Sequence, residues 1–537
     1  MDGGRRTGGG ILRNTAVVAV LTACSRALGL VREMMQSRLI GAGWEQSAFT
    51  LAFAIPNMAR RLFGEGALTA AFVPVFKGMV EEDGIDAARK LARSVLTMSL
   101  VMLGAISALV AIAITTAMGF HPWRLDPSSE TCARTLLILR LTRILVPYMI
   151  FICGAAFGMG VLNSLGRFAA AASLPCILNI FWIGALACIS FLGDMGTIAR
   201  IRLVSITILF AGVVQMAFMF WCMHRRGMSP GLSFSGWKDE KTRLVWRNTA
   251  IAAIGAGAVQ INYMLDQVLA QLAAPWAAGA IGYADRLMEL PLGIVGTAFG
   301  TVLLPTFSGL FAKGDGDGAR SAFVSSTRNM MIVVLPAAAG LVVLAPEITR
   351  LIYRGGLFDE LAVTRVSRAV ACYSAGLCFF CLQKMLTPWF QAQKDLKTPL
   401  RIATRMVLLN AILNIAAVFM LPSEWRHVGL AGSTVLCAGV SCALLAAEAR
   451  QRNGSMGFGK MLRPVSMAAI AAAVMSFAII AAKQYFPALI DGTPVNATAA
   501  MACMVAGGAA IYLGTLAILA RRDLAAAING LRRRGAR

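Results

Sequence analysis

Between Ser25 and Phe76 an otherwise apolar stretch carries Arg26, Arg32, Glu33, Arg38, Arg60, Arg61 and Glu65. A charge at membrane depth costs roughly 3 kcal/mol, so such residues face a protein interior or a water-filled cavity. On a helix Arg26 and Glu33 share a face, with Arg32 rotated about 100° to one side. Arg61 and Glu65 are spaced to pair across one turn. Asp285, Arg286 and Glu289 form a similar cluster much later in the chain. Arg38 and Asp285 are equally well read as interfacial snorkelling or as charges that only fix helix packing. In Arg26, Arg32, Arg60, Arg61 and Arg286 positive charge is in excess, which points to an anionic ligand. The planar five-donor guanidinium suits phosphate better than the point charge of lysine.

No enzyme motif accompanies these residues. The chain lacks a G-x-S-x-G elbow, a phosphate-cradling P-loop and a zincin helix. Cys378 and Cys381 have C-x-x-C spacing, but they sit within the apolar run GLCFFCL with no second pair, so a zinc site is not expected. Most of the 12 cysteines lie inside apolar runs, where cysteine behaves as a small hydrophobe.

The elements that must position the arginines are membrane helices. The chain is 58% hydrophobic and 14% charged with a mean hydropathy of +0.70, whereas soluble chains carry about 25% charged residues. The net charge of +24 comes without a basic block interleaved with aromatics, which argues against nucleic acid and for basic cytoplasmic loops. No cleavable signal peptide is expected, because the first apolar segment contains Arg26 and Arg32. Apolar runs of spanning length centre near residues 27, 58, 106, 147, 177, 212, 257, 295, 337, 376, 411, 437, 474 and 508. The expected fold is therefore an all-α polytopic membrane protein with about fourteen spans. Kinked or broken helices are expected at Pro56 and Pro291. Lysine and arginine recur in alternate loops, which puts both termini in the cytoplasm.

The sequence also repeats itself. AFVPVFKGMVEEDGIDAAR matches TVLLPTFSGLFAKGDGDGAR with Pro74 on Pro305, and VLNSLGRFAAAASLPCILN matches WFQAQKDLKTPLRIATRMVLLN. The offset of about six spans implies two six-helix lobes, 1–230 and 231–450, related by a pseudo-two-fold repeat. Residues 451–537 then supply two additional helices and a basic tail. Halves that meet around a central site are a recurrent transporter plan. A second polar feature is Asp266 on the seventh span with Asn410 and Asn414 one turn apart on the eleventh. Oxygen-bearing groups there could coordinate Na+ or carry a proton, or could simply join helices by hydrogen bonds.

The runs SRALGLVRE, IPNMARRLFGEGALTAAFVPVF, YADRLMELPLGIVGTAFGTVLLP, LVPYMIFICGAAFGMGVLNSLGRF and QAQKDLKTPLRIATR carry a resemblance over nearly the whole chain. They resemble the MurJ (MviN) family of lipid II flippases, within the multidrug/oligosaccharidyl-lipid/polysaccharide exporter superfamily. The resemblance implies two lobes around a cationic cavity and a final helix pair that helps form a groove for a lipid tail. It places substrate-binding residues at Arg26, Arg32, Glu33, Arg60, Arg61, Glu65 and Arg286, with Asp285 as a helper. It maps a sodium site described for some members to Asp266, Asn410, Asn414 and Thr434. The family often has Asp where this chain has Ser47. The function implied is transport of lipid II across the bacterial inner membrane, without an enzymatic step or resident cofactor and with coupling to Na+ or the membrane potential. The partners implied are lipid II, membrane lipids and cell-wall synthesis proteins. The alternatives are export of another lipid-linked saccharide or of drugs, or a polyprenyl-phosphate transferase.

Overall fold

A computed structural model describes residues 8–120, 129–193, 195–234, 239–485 and 494–519. Every named element among them is helical. In chain order these are α1 (Gly8–Ile40), α2 (Trp44–Ala59), a π-helical segment (Arg60–Ala67), α3 (Leu68–Glu82), α4 (Gly84–Phe120) and α5 (Glu130–Leu145). They are followed by α6 (Tyr148–Ser164), α7 (Phe168–Phe191), α8 (Thr197–His224), α9 (Glu240–Ala273), α10 (Ala277–Ala312) and α11 (Gly316–Val343). The remainder are α12 (Ala345–Tyr353), α13 (Glu360–Ala375), α14 (Leu377–Ala392), α15 (Lys397–Met420), α16 (Arg426–Asn453), α17 (Phe458–Tyr485) and α18 (Pro494–Leu519).

The all-α membrane architecture is as expected. Each of the fourteen expected centres falls within a helix or at the joint of a helix pair, such as Pro147 between α5 and α6. By length and apolarity alone, nine spans qualify among the described residues, or ten if the bent pair α13–α14 counts as one. Fourteen is therefore not reached by that test. The charge-bearing helices α1, α9 and α10 are absent from that tally.

Neither Pro56 nor Pro291 ends its helix. The second span breaks not at Pro56 but just beyond it, in the π segment, and α10 runs unbroken past both Pro291 and Pro305. A proline removes one backbone donor and need not end a helix whose other bonds persist. The π register has its own cause. In it the amide five residues on meets a carbonyl, and a Cβ at Gly66 would stand 2.6 Å from the Arg61 carbonyl oxygen. Only glycine leaves room for that approach.

The chain folds as two compact units: Met1–Gln271 with Gly355–Phe358, and Leu272–Arg354 with Asp359–Arg537. In the first, Trp182 on α7 meets Phe49 and Phe53 of α2 edge-on, each at 5.6 Å. A neighbouring cluster packs Phe72 against Phe76 and Phe157. Small residues let α6 and α8 approach: Gly158 lies against Met219 and Met223, and Gly212 against the Tyr148 ring. In the second unit Trp389 is fully buried among Phe307, Phe311 and Phe323. The last two helices are tied to that core by polar contacts. Tyr512 donates to the Ile332 carbonyl (2.7 Å), and Lys483 pairs with the buried Glu347 (2.6 Å).

Candidate functional site

Arg32 is the best-defined member of the arginine set. On α1 it is half-buried, and its guanidinium donates through Nη1 to Asn179 Oδ1 on α7 at 2.9 Å. Its Nη2 pairs with Glu33, and its face lies over the Trp182 ring, 4.5 Å from the centroid. Asn179 in turn donates from Nδ2 to the Ser25 carbonyl at 3.0 Å, so one amide both orients Arg32 and ties α1 to α7. Stacking, charge pairing and a directed hydrogen bond each fix a different edge or face of the fork. Arg32 Nε is buried without a hydrogen-bond partner.

The other arginines stand in different surroundings. Arg26 is exposed on α1. Arg60, at the start of the π segment, donates from Nε and Nη2 to Asn57 Oδ1 at 3.1 and 3.0 Å. Arg61 lies over the Tyr263 ring of α9 at 5.3 Å. Its expected partner Glu65 has a side chain outside the described residues, and in a π turn the residue that returns over Arg61 is Gly66. Arg286 belongs to the second unit, where it is exposed and pairs with Glu289 at 3.1 Å; Asp285 beside it is half-buried. Among the described residues, then, Arg32 and Glu33 are brought together with each other and with two residues that the sequence did not single out, Asn179 and Trp182.

Ser47, where the family often has Asp, is fully buried, and its carbonyl accepts from Gln271 Nε2 at 2.7 Å. The position therefore serves helix packing through its backbone.

The expected sodium donors divide between the units. Asp266 accepts from Asn262 Nδ2 (3.3 Å) on its own helix in the first unit. In the second, Asn414 Nδ2 donates to Asn410 Oδ1 at 3.0 Å, Asn410 Nδ2 to Ser433 Oγ at 3.4 Å, and Ser433 Oγ to Asn414 Oδ1. Thr434 spends its hydroxyl on the Leu430 carbonyl (3.2 Å). A hard cation needs several oxygens turned towards one point. Asn410, Asn414 and Ser433 hydrogen-bond one another, which ties α15 to α16. Among the described residues no group of three or more His, Cys, Asp or Glu is placed to hold a metal ion.

Between α17 and α18 lies an apolar cavity of about 400 Å³, lined by residues that include Ala482, Asn496, Cys503 and Gly507. The resemblance expects the final helix pair to border a lipid groove, and the lining has the chemistry of one.

Comparison with known proteins adds an independent line. The family model described as "Lipid II flippase MurJ" matches residues 36–495. A probable lipid II flippase MurJ of Rhizobium tropici is 30% identical over 528 residues, covering 98% of this chain and 97% of that protein. Its counterpart in Rickettsia prowazekii is 31% identical over 444 residues, covering 81% and 83%. Among solved structures, a lipid II flippase MurJ in an inward closed conformation matches with a TM-score of 0.74 at 21% identity, covering 94% of this chain and 99% of that one. An inward-facing MATE multidrug transporter of the MOP superfamily matches at 0.64 and 14% identity, covering 82% and 99%, and shares the fold alone. With a family model spanning most of its length and relatives matched nearly end to end, the chain belongs to the lipid II flippase MurJ family.

Proposed function

We propose that this chain moves lipid II, the lipid-linked peptidoglycan precursor, from the inner to the outer leaflet of a bacterial cytoplasmic membrane, with both termini in the cytoplasm. Family membership supports the substrate. The observation that carries the chemistry is Arg32, a guanidinium held inside the first unit by Asn179, Glu33 and Trp182. A positive fork oriented so closely within a helical membrane protein suits a pyrophosphate that must cross while its polyprenyl tail stays in lipid.

Glu33 gives the fork an internal counter-ion. A ligand shifts an equilibrium only through unequal affinity for two states, so exchange of Glu33 for phosphate on Arg32 is one way for the substrate to bias the conformation. The membrane potential acts on the same charge, at about 2.3 kcal/mol per elementary charge per 100 mV. A drug exporter for cations would need an acidic site, whereas Arg32 and its neighbours present a cationic fork whose one acidic partner is Glu33.

The test is complementation of a strain depleted of its own flippase. The chain should restore growth, and Arg32→Ala at equal abundance should not. Lysine at the same position keeps the charge but loses the fork and the stacking surface, so Arg32→Lys should rescue poorly. Undiminished rescue by Arg32→Ala would overturn the proposal. Release of sugar or phosphate from labelled lipid II by the purified protein would favour the transferase.

A further inference from the structure

After α8 the chain forms a strap, residues 225–234, that folds back on the first unit. Its shape is set by specific contacts. Arg93 Nε of α4 donates to the Ser229 carbonyl (3.0 Å), the Ser233 amide donates to Thr97 Oγ1 (2.8 Å), and His224 Nδ1 bonds Ser229 Oγ (2.9 Å). Within the strap, Met228 is buried. The strap passes so close over Arg93 that a Cβ at Gly231 would lie 3.2 Å from its Nε. These contacts fix a defined surface.

Two features give the depth of that surface. Arg93 is the last charged residue of α4, and every residue from Ser94 to Phe120 is uncharged. Thr97 is therefore one turn, about 6 Å, inside the part of α4 fit to cross a bilayer. The strap is bonded at that level, and the residues flanking Ser233 point outward: Leu232 is 69% exposed and Phe234 64%. At the end of α8, Trp221 is half-exposed with the Arg225 guanidinium 4.2 Å over its ring. Tryptophan at that place in a membrane helix marks the headgroup level. Arg225 and Arg226 are both exposed. Apolar tips at the hydrocarbon edge beside two arginines at the headgroup level are complementary to an anionic leaflet.

We propose that the strap is an interfacial anchor: Leu232 and Phe234 insert among acyl chains, and Arg225 and Arg226 gather anionic phospholipid headgroups around them. The inference rests on the chain spanning a membrane and not on its carrying lipid II. It gives the connection between α8 and α9 a fixed depth in the bilayer.

The test uses the full chain in phosphatidylcholine nanodiscs with trace phospholipid carrying a photoactivatable diazirine on its acyl chain. The labelled headgroup is phosphatidylcholine or phosphatidylglycerol, and crosslinked peptides are mapped by mass spectrometry. Strap peptides should be labelled, and more by phosphatidylglycerol. That preference should fall roughly fivefold for each arginine removed in Arg225→Gln and Arg226→Gln. Leu232→Ser with Phe234→Ser should abolish strap labelling while the exposed α4 residues Leu109 and Ile112 stay labelled, which certifies an embedded, folded protein. An unlabelled wild-type strap beside labelled Leu109 and Ile112 overturns the proposal, as would be found were the strap a docking site for a soluble protein. Equal labelling by the two headgroups overturns the role of the arginines.

Discussion

Asn179 on α7 and Asn410 on α15 stand as far apart in the chain as Pro74 and Pro305, and each closes one of the two similar stretches read in the sequence. Each is buried and faces a neighbouring helix, yet they do different work. Asn179 turns its carbonyl to the Arg32 guanidinium and its amide to the Ser25 backbone. Among the described residues Asn410 bonds neutral partners, Asn414 and Ser433. The same residue type is a holder of charge in one unit and a helix lock in the other. What differs is the opposing helix: α1 presents Arg32 and Glu33 to α7, whereas α16 presents Ser433 to α15.

Asn179→Ala should give the largest effect. It removes the Asn179 acceptor from a half-buried guanidinium and the inter-helix donor to the Ser25 carbonyl. Loss of a hydrogen bond to a charged group is worth about 1.5–3 kcal/mol, so transport per folded molecule should fall at least roughly tenfold. Growth rescue at matched abundance checks it. Next is Gly66→Ala, which puts a Cβ 2.6 Å from the Arg61 carbonyl oxygen. Relief requires the π segment to rewind or shift, moving Arg61 off Tyr263, with an overpacking cost of about 1–3 kcal/mol. Both rescue and melting temperature should drop. Asn410→Ala should instead lower stability by about 1 kcal/mol, in the range of interhelical hydrogen bonds in membranes, and leave transport per folded molecule within about twofold. If Asn410→Ala abolished rescue at normal abundance while Asn179→Ala was silent, the division of labour between the halves would be reversed.

Much of this was legible in the residues. The helical class followed from apolar runs of spanning length, and Arg32 with Glu33 stood out because charge is rare in such runs. The contrast between Asn179 and Asn410 was not legible, although the repeat ended on both. What an asparagine does depends on the helix across from it, and α7 is far from α1 in the chain. Trp182 was hidden for the same reason, since an aromatic in an apolar run carries no mark of what it stacks on. The expected pairing of Arg61 with Glu65 rested on a 3.6-residue turn, and the backbone there is π-helical, with the Glu65 side chain outside the described residues. Gly66 permits the wider turn, and nothing in a glycine-containing FGEGA announces that by itself. The hydrogen bonds that join Asn410, Ser433 and Asn414 were not legible either, because they depend on a third dimension that spacing does not hold.

The smallest effect distinguishes the turns that precede the two asparagine helices. In the second unit Asp395 Oδ1 accepts from the Lys397 and Thr398 amides, each at 3.0 Å, and Oδ2 from Arg452 at 2.5 Å. In the first, α7 begins after Arg167 with no side-chain cap. The Thr398 bonds, with Arg452 adding its charge, hold the Asp395 carboxyl down from its ordinary 3.8 to about 2. A depressed carboxyl stabilises the fold fully above its unfolded value, and that contribution disappears as pH falls towards the folded value. The start of α15 should therefore loosen between about pH 4 and pH 2, and the start of α7 should not. Because this ion pair is largely solvent-screened, the shift in melting temperature should be only about 1 °C. Hydrogen exchange at the Lys397 and Thr398 amides is the sharper readout. Asp395→Asn keeps an acceptor for those amides and removes the titration, so its exchange should be flat where the wild type rises. An equal acid response at the start of α7 would mean that the turn chemistry does not set the difference between the halves.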